Sequence, residues 1–184
     1  MHIVCLDPGH GGIDPGAMGH GLLEKNVALA IALKVRKALE AEDGVKVVMT
    51  HDKPLPQWEE LRLQERCSIS NLNDADCFVS IHCNAFGKAS AHGSETFYCP
   101  GSVNGAALAR AIQEGANAAC PGMPERRVAP ARFYVLTQTA APAALFEAGF
   151  VTNAEDARLL GDDEYQERCA NGIAAGILRW LGGQ

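Results

Sequence analysis

Short apolar runs alternate with longer stretches of helical periodicity along nearly the whole chain, and that alternation restricts the fold more than any other feature. Residues 3–6 read as a buried strand. Across residues 22–42, Val27, Ile31 and Val35 recur four apart among Ala, Leu, Lys and Glu, which predicts a helix. Gly44 ends it. Residues 45–50 read as a second strand and residues 59–71 as a second helix. Residues 77–82 form an unbroken apolar strand, followed by a strand at 93–98 and a helix at 104–119. A buried strand at 143–146 and a closing helix at 164–181 complete the order. Strands separated by helices predict an α/β domain with a twisted, mostly parallel β-sheet covered by helices on both faces. No repeat or linker interrupts the 184 residues, so a single domain over 1–184 is expected.

Composition removes several classes of function. The net charge is -6 and the longest basic cluster is Arg126–Arg127, which argues against a nucleic-acid partner, because phosphate binding needs clustered cations. The seven cysteines (Cys5, Cys67, Cys77, Cys83, Cys99, Cys120, Cys169) are odd in number and lack any CxxC pair. Neither a disulfide framework nor a thiolate zinc site is expected, and free thiols imply a reducing compartment during folding. No basic, apolar and small-residue leader opens the sequence, and no apolar run reaches about 18 residues. Cytoplasmic synthesis without membrane insertion is expected.

Three apolar runs break into polar residues at their carboxyl ends. "HIVCLD" runs into a glycine-rich turn carrying His10, "CFVSIH" ends on His82, and "AALFE" ends on Glu147. In an open α/β sheet, ligands bind beyond the carboxyl ends of the strands, and Glu24, near the start of the first helix, belongs to the same edge. Two imidazoles and two carboxylates meeting there make a reasonable zinc site, with three ligands, one open position and one acid left to move protons. All but His82 also have a plainer reading. His10 serves equally as a hydrogen-bonding loop residue, and Glu24 as a first-turn carboxylate favoured by the helix dipole. Glu147 serves equally in a structural ion pair with an arginine such as Arg127.

The blocks "LDPGHGGIDPGA", "LLEKNVALAIALKV", "RCSISNLNDADCFVSIHCNA", "HGSETFY" and "PAALFEAGFVTN" occur in the order seen in zinc-dependent N-acetylmuramoyl-L-alanine amidases of the amidase 3 type, which the chain resembles over nearly its whole length. The resemblance implies a monomeric hydrolase that cuts peptidoglycan between the lactyl group of N-acetylmuramic acid and the first L-alanine of the stem peptide. It implies one Zn2+ held by His10, Glu24 and His82, with Glu147 as the catalytic glutamate. It implies action on the cell wall after release or export, and no separate wall-binding domain is expected within the chain.

Around these positions the resemblance leaves particular roles open. Asp7 either fixes the His10 tautomer by a hydrogen bond or ties down the turn backbone. Arg66, Asn71 and Asp76 are expected to buttress the sheet, while Glu95 has no assigned role. Thr137, after the "VL" of a strand expected before the catalytic one, stands where a basic residue is expected. Cys83 points away from His82 if the strand alternation holds, and His20, His51 and His92 match no ligand position. Little room exists between Glu95 and Arg127 for an occluding helix, so an accessible cleft is expected. The rival readings are a zinc peptidase acting within the stem peptide and a noncatalytic wall-binding module.

Overall fold

The computed structural model describes residues 1–183. Its elements run β1 (His2–Pro8), a small hairpin of β2 (Met18–Gly19) and β3 (Leu22–Leu23), α1 (Glu24–Glu40), β4 (Val45–Met49), α2 (Leu63–Leu72) and β5 (Cys77–Asn84). They continue with β6 (Ser94–Tyr98), α3 (Val103–Ala119), β7 (Glu125–Pro130), α4 (Tyr134–Gln138), β8 (Ala143–Phe150), α5 (Ala154–Leu160) and α6 (Asp163–Leu181).

Six strands form one sheet in the order β4-β1-β5-β8-β6-β7. All neighbours run parallel except β6 and β8. The expected α/β architecture with a mostly parallel sheet is therefore observed. The two faces are covered unequally. One face packs Val4, Leu6, Val79, Ile81 and Phe146 against α1, α3 and α6 in the larger core. The other carries Cys5, Phe78, Phe97 and Leu145 against the shorter α2 and α4. Alternation along β5 and β8 assigns His82 and Glu147 to this thinner face, because Phe78 and His82, and Leu145 and Glu147, are separated by even steps.

Several boundaries differ from the sequence reading for identifiable reasons. The first helix begins at Glu24 because Leu22 and Leu23 pair with Met18 and Gly19. The second begins at Leu63, since the Glu59 carbonyl accepts from Ile13 N at 2.9 Å and the Glu65 carboxylate accepts from Arg62 N at 2.7 Å. The last strand reaches Phe150 because β5 continues to Asn84, which pairs with Phe150 across a register shift. The segment carrying Thr137 is the short helix α4 and not a strand; Thr137 Oγ1 donates to the Tyr134 carbonyl.

Candidate metal centre

The turn after β1 is held from both sides. His10 adopts φ 62°, a left-handed conformation uncommon for a residue with a side chain. Gly11 and Asp14 exchange backbone hydrogen bonds at 3.0 Å, closing the loop. Below it, Arg66 donates through Nη1 to the Pro8 carbonyl and through Nη2 to the His10 carbonyl, both at 2.6 Å. The guanidinium is anchored in turn by Asp7 Oδ1 at 2.7 Å. Asp7 also accepts from Thr50 Oγ1 at 2.8 Å and from Ser80 Oγ at 2.7 Å. The expected link from Asp7 to the His10 ring is not made: both carboxylate oxygens of Asp7 are used beneath the sheet end, and it supports the turn through Arg66.

The His10 ring is oriented by a residue that the sequence reading missed. Asp14 Oδ2 lies 2.6 Å from His10 Nδ1, and its Oδ1 accepts from Gly16 N at 2.9 Å. A signal was present, because Asp14 stands four residues after His10 inside a DPG turn.

Glu24 occupies the first position of α1, where the helix dipole favours a carboxylate. Its Oε2 accepts from Ala17 N at 2.7 Å. Its Oε1 meets His82 Nδ1 at 2.8 Å, His10 Nε2 at 3.1 Å and Cys83 N at 3.1 Å. Burial alone would raise its carboxyl pKa, but hydrogen bonds and charge from His10 and His82 outweigh burial and hold it well below the usual carboxylate range. His10 responds in the opposite sense. Burial disfavours its imidazolium, yet Glu24 and Asp14 on its two nitrogens push it up to about 9. Gly9 makes room for this assembly, since a Cβ there would overlap the His82 ring.

One ligand atom each from His10, Glu24 and His82 lies within 4.8 Å of the others. The donor set suits zinc: two imidazole nitrogens and one carboxylate oxygen are the ligands of many zinc hydrolases. The polar atoms facing away from that point are already engaged at His10 and Glu24, which fixes the His10 ring and the carboxylate in place. His10 also stands between two carboxylates, whose negative charge favours a cation beside its ring. The residues fit a divalent ion.

Cys83 belongs to the larger core on the opposite face, and burial pushes its thiol well up, so it offers no ligand. Among the described residues His20, His51 and His92 lie outside the cluster. Asn71 accepts from Ala140 N at 2.9 Å and Asp76 from Ile3 N at 2.7 Å, which are supporting contacts of the expected kind.

Glu147 pairs in parallel register with His82, so the two side chains share a face. Its Oε2 is buried and has no hydrogen-bond partner among the described residues. Burial pushes the carboxyl up to about 7, with Glu24 and Glu95 adding to the rise and His82 and His10 opposing it. The considered ion pair between Glu147 and Arg127 does not form. Arg127 Nε lies 2.8 Å from Glu95 Oε2, and Glu95 stands between the two. Arg126 Nε at 3.4 Å and Asn84 Nδ2 at 2.6 Å complete the surroundings of Glu95.

A cleft of about 430 Å³ opens over this row, reaching His10, His82 and Glu147 and walled by Leu63, Phe133 and Tyr134. The side chains of His10 and His82 keep 25% and 19% of their surface exposed, in keeping with an accessible site.

Residues 4–179 match the N-acetylmuramoyl-L-alanine amidase family. The germination-specific N-acetylmuramoyl-L-alanine amidase of Bacillus subtilis is 34% identical over 97% of this chain and 79% of its own length. The catalytic domain of CwlV, an N-acetylmuramoyl-L-alanine amidase from Bacillus (Paenibacillus) polymyxa var. colistinus, superposes with a TM-score of 0.92 at 34% identity, covering 100% of both chains. The amidase AmiC2 of Nostoc punctiforme superposes with a TM-score of 0.91 at 38% identity, covering 98% of this chain and 97% of its own.

Proposed function

This chain belongs to the N-acetylmuramoyl-L-alanine amidase family and is an enzyme of that type, and on that premise we propose that it cleaves peptidoglycan with one zinc ion held by His10, Glu24 and His82 and with Glu147 as the proton carrier. The bond cut is the amide between the lactyl group of N-acetylmuramic acid and the L-alanine of the stem peptide. Zinc, when bound, supplies a Lewis acid and lowers the pKa of a water from 15.7 to about 7.

The observation that carries this reading is the Oε2 of Glu147, buried without a hydrogen-bond partner in register with His82. An unsatisfied buried carboxylate oxygen is costly to keep, so its place at a cleft points to work done there. Glu147 accepts at this oxygen the proton lost by the attacking water. It then gives that proton to the L-alanine nitrogen as the C–N bond breaks, leaving a lactyl carboxylate and a free amine. A carboxyl near pKa 7 suits both transfers at neutral pH. Asp14 and Arg66 hold His10 throughout, and Leu63, Phe133 and Tyr134 give the cleft an apolar wall.

The test is mass spectrometry of muropeptides after incubation with chelated and zinc-reconstituted protein. The expected product is a stem peptide with a free L-alanine amine, formed only after zinc is restored. Cleavage between stem residues would make the protein a peptidase, and turnover by fully metal-free protein would remove zinc from the account.

A further inference from the structure

The strand register lays out a row of side chains wider than the catalytic step uses. His82 pairs with Glu147 across β5 and β8, Glu147 pairs with Glu95 across β8 and β6, and Glu95 pairs with Arg127 across β6 and β7. Directly paired residues point to the same face, so these four line one face of the sheet, and Arg127 ends the row on an edge strand.

The Arg127 side chain is positioned before any ligand arrives. Its Nε is fixed by Glu95 Oε2 at 2.8 Å and its guanidinium lies 5.5 Å from the Phe97 ring centroid. Neither Nη atom has a hydrogen-bond partner among the described residues, and the side chain is 59% exposed. Arg126 also faces Glu95, so two cations meet this one carboxylate. A pocket of about 320 Å³ contains both arginines and shares Glu147 and Phe133 with the metal cleft. The two spaces therefore adjoin at the proton carrier.

A free guanidinium edge matches a carboxylate, two N–H donors to two oxygens. Two strand spacings of about 4.8 Å place the Arg127 backbone roughly 10 Å from that of Glu147. A dipeptide extends about 7 Å, and the arginine side chain covers the remainder. In peptidoglycan the residue after L-alanine is D-glutamate joined through its γ-carboxyl, so its α-carboxyl is either a free carboxylate or, where amidated, neutral. We propose that Arg127 recognises the free α-carboxylate of this second stem residue, laying the peptide arm of the substrate along β6 and β7 and leaving the glycan arm to the Leu63, Phe133 and Tyr134 side. The assignment rests on the amidase reading and adds a preference to it: unamidated stems are favoured over amidated ones.

The experiment uses a matched pair of substrates, disaccharide–L-alanyl-D-glutamate and its α-amide (isoglutamine) counterpart, both with the γ-carboxyl capped as the methylamide so that no other stem carboxylate is present. Zinc-loaded wild-type protein and Arg127→Gln and Arg127→Lys variants are assayed for kcat/KM, and binding of both compounds to zinc-loaded Glu147→Gln protein, with and without Arg127→Gln, is measured by calorimetry. Wild-type is expected to prefer the acid about 10-fold at low salt, as befits a charge-assisted pair at an exposed site. Arg127→Gln is expected to bring the ratio near one, and Arg127→Lys to retain part of it. Equal handling of acid and amide by wild-type, or a preference that survives Arg127→Gln, overturns the assignment while leaving the amidase reading intact. Discrimination in binding without release of an alanine amine from either compound supports the arginine site and overturns the amidase reading instead.

Discussion

Asp14 sets its Oδ2 2.6 Å from Nδ1 of His10, on the opposite edge of the ring from Glu24. This contact leaves Nε2 as the nitrogen directed at the ligand cluster. Asp14→Ala is expected to weaken zinc binding about 10- to 100-fold, measured by competition with a chromogenic chelator. Unchanged affinity would show that Arg66 and the turn backbone orient His10 without help.

Glu147→Gln is expected to keep zinc and to lose about 100- to 10,000-fold in hydrolysis rate, the range for a lost general base. Metal content by atomic absorption and turnover on purified peptidoglycan check the two halves. Near-wild-type turnover would remove Glu147 from proton transfer.

The same substitution should make the metal-free protein more stable at neutral pH. The folded carboxyl titrates at about 7 against an ordinary 4.5, so burial penalises the ionised form. That penalty is absent below pH 4.5, where both states are protonated, and is complete above pH 7, where both are ionised. Glu147→Gln is therefore expected to exceed wild-type by up to about 3 kcal/mol at pH 8 and to match it at pH 4, as read from urea unfolding. A constant difference between the two pH values would contradict the shift.

Arg66→Met removes the guanidinium that ties Asp7 to the Pro8 and His10 carbonyls. Breaking a buried ion pair from one side costs about 3–5 kcal/mol because the other charge stays behind. The urea midpoint should fall accordingly, and Asp7→Asn in the same chain should recover part of the loss. No recovery would mean that the lost carbonyl contacts, and not the stranded charge, dominate.

Gly172 on α6 meets Gly115 on α3 at a close helix crossing, where a Cβ at Gly172 would lie 2.5 Å from the Gly115 carbonyl oxygen. Alanine in place of glycine within a helix ordinarily gains about 1 kcal/mol. Here Gly172→Ala is expected to lower thermal stability, while activity per folded molecule at 25 °C stays at the wild-type level. A raised Tm would show that the crossing has slack.

The strands that carry the site were legible because each buried run stops on a residue that apolar packing does not require: His10 just past β1, His82 in β5 and Glu147 in β8. What escaped was short or locally weak. β7 reads ERRVAP, with its first three residues exposed and no apolar alternation, and α4 spans five residues. α5 did carry a signal, since Asn153 caps Glu155 N and Asp156 N at 3.0 Å each. The contacts of Asp7 with Ser80 and of Arg127 with Glu95 depended on which strands lie side by side. The alternative of an Arg127–Glu147 pair fails because β6, parallel to β7 and antiparallel to β8, lies between them, which sequence order does not reveal.

The unequal covering of the two sheet faces separates durability from adaptability. Substitutions under α1, α3 and α6 risk the whole molecule, whereas over the opposite face only a few positions, Arg66 and the smaller core among them, carry the fold and the exposed ones are free to vary. Variation there reshapes the walls of the cleft while His82 and Glu147 stay fixed to the strands beneath.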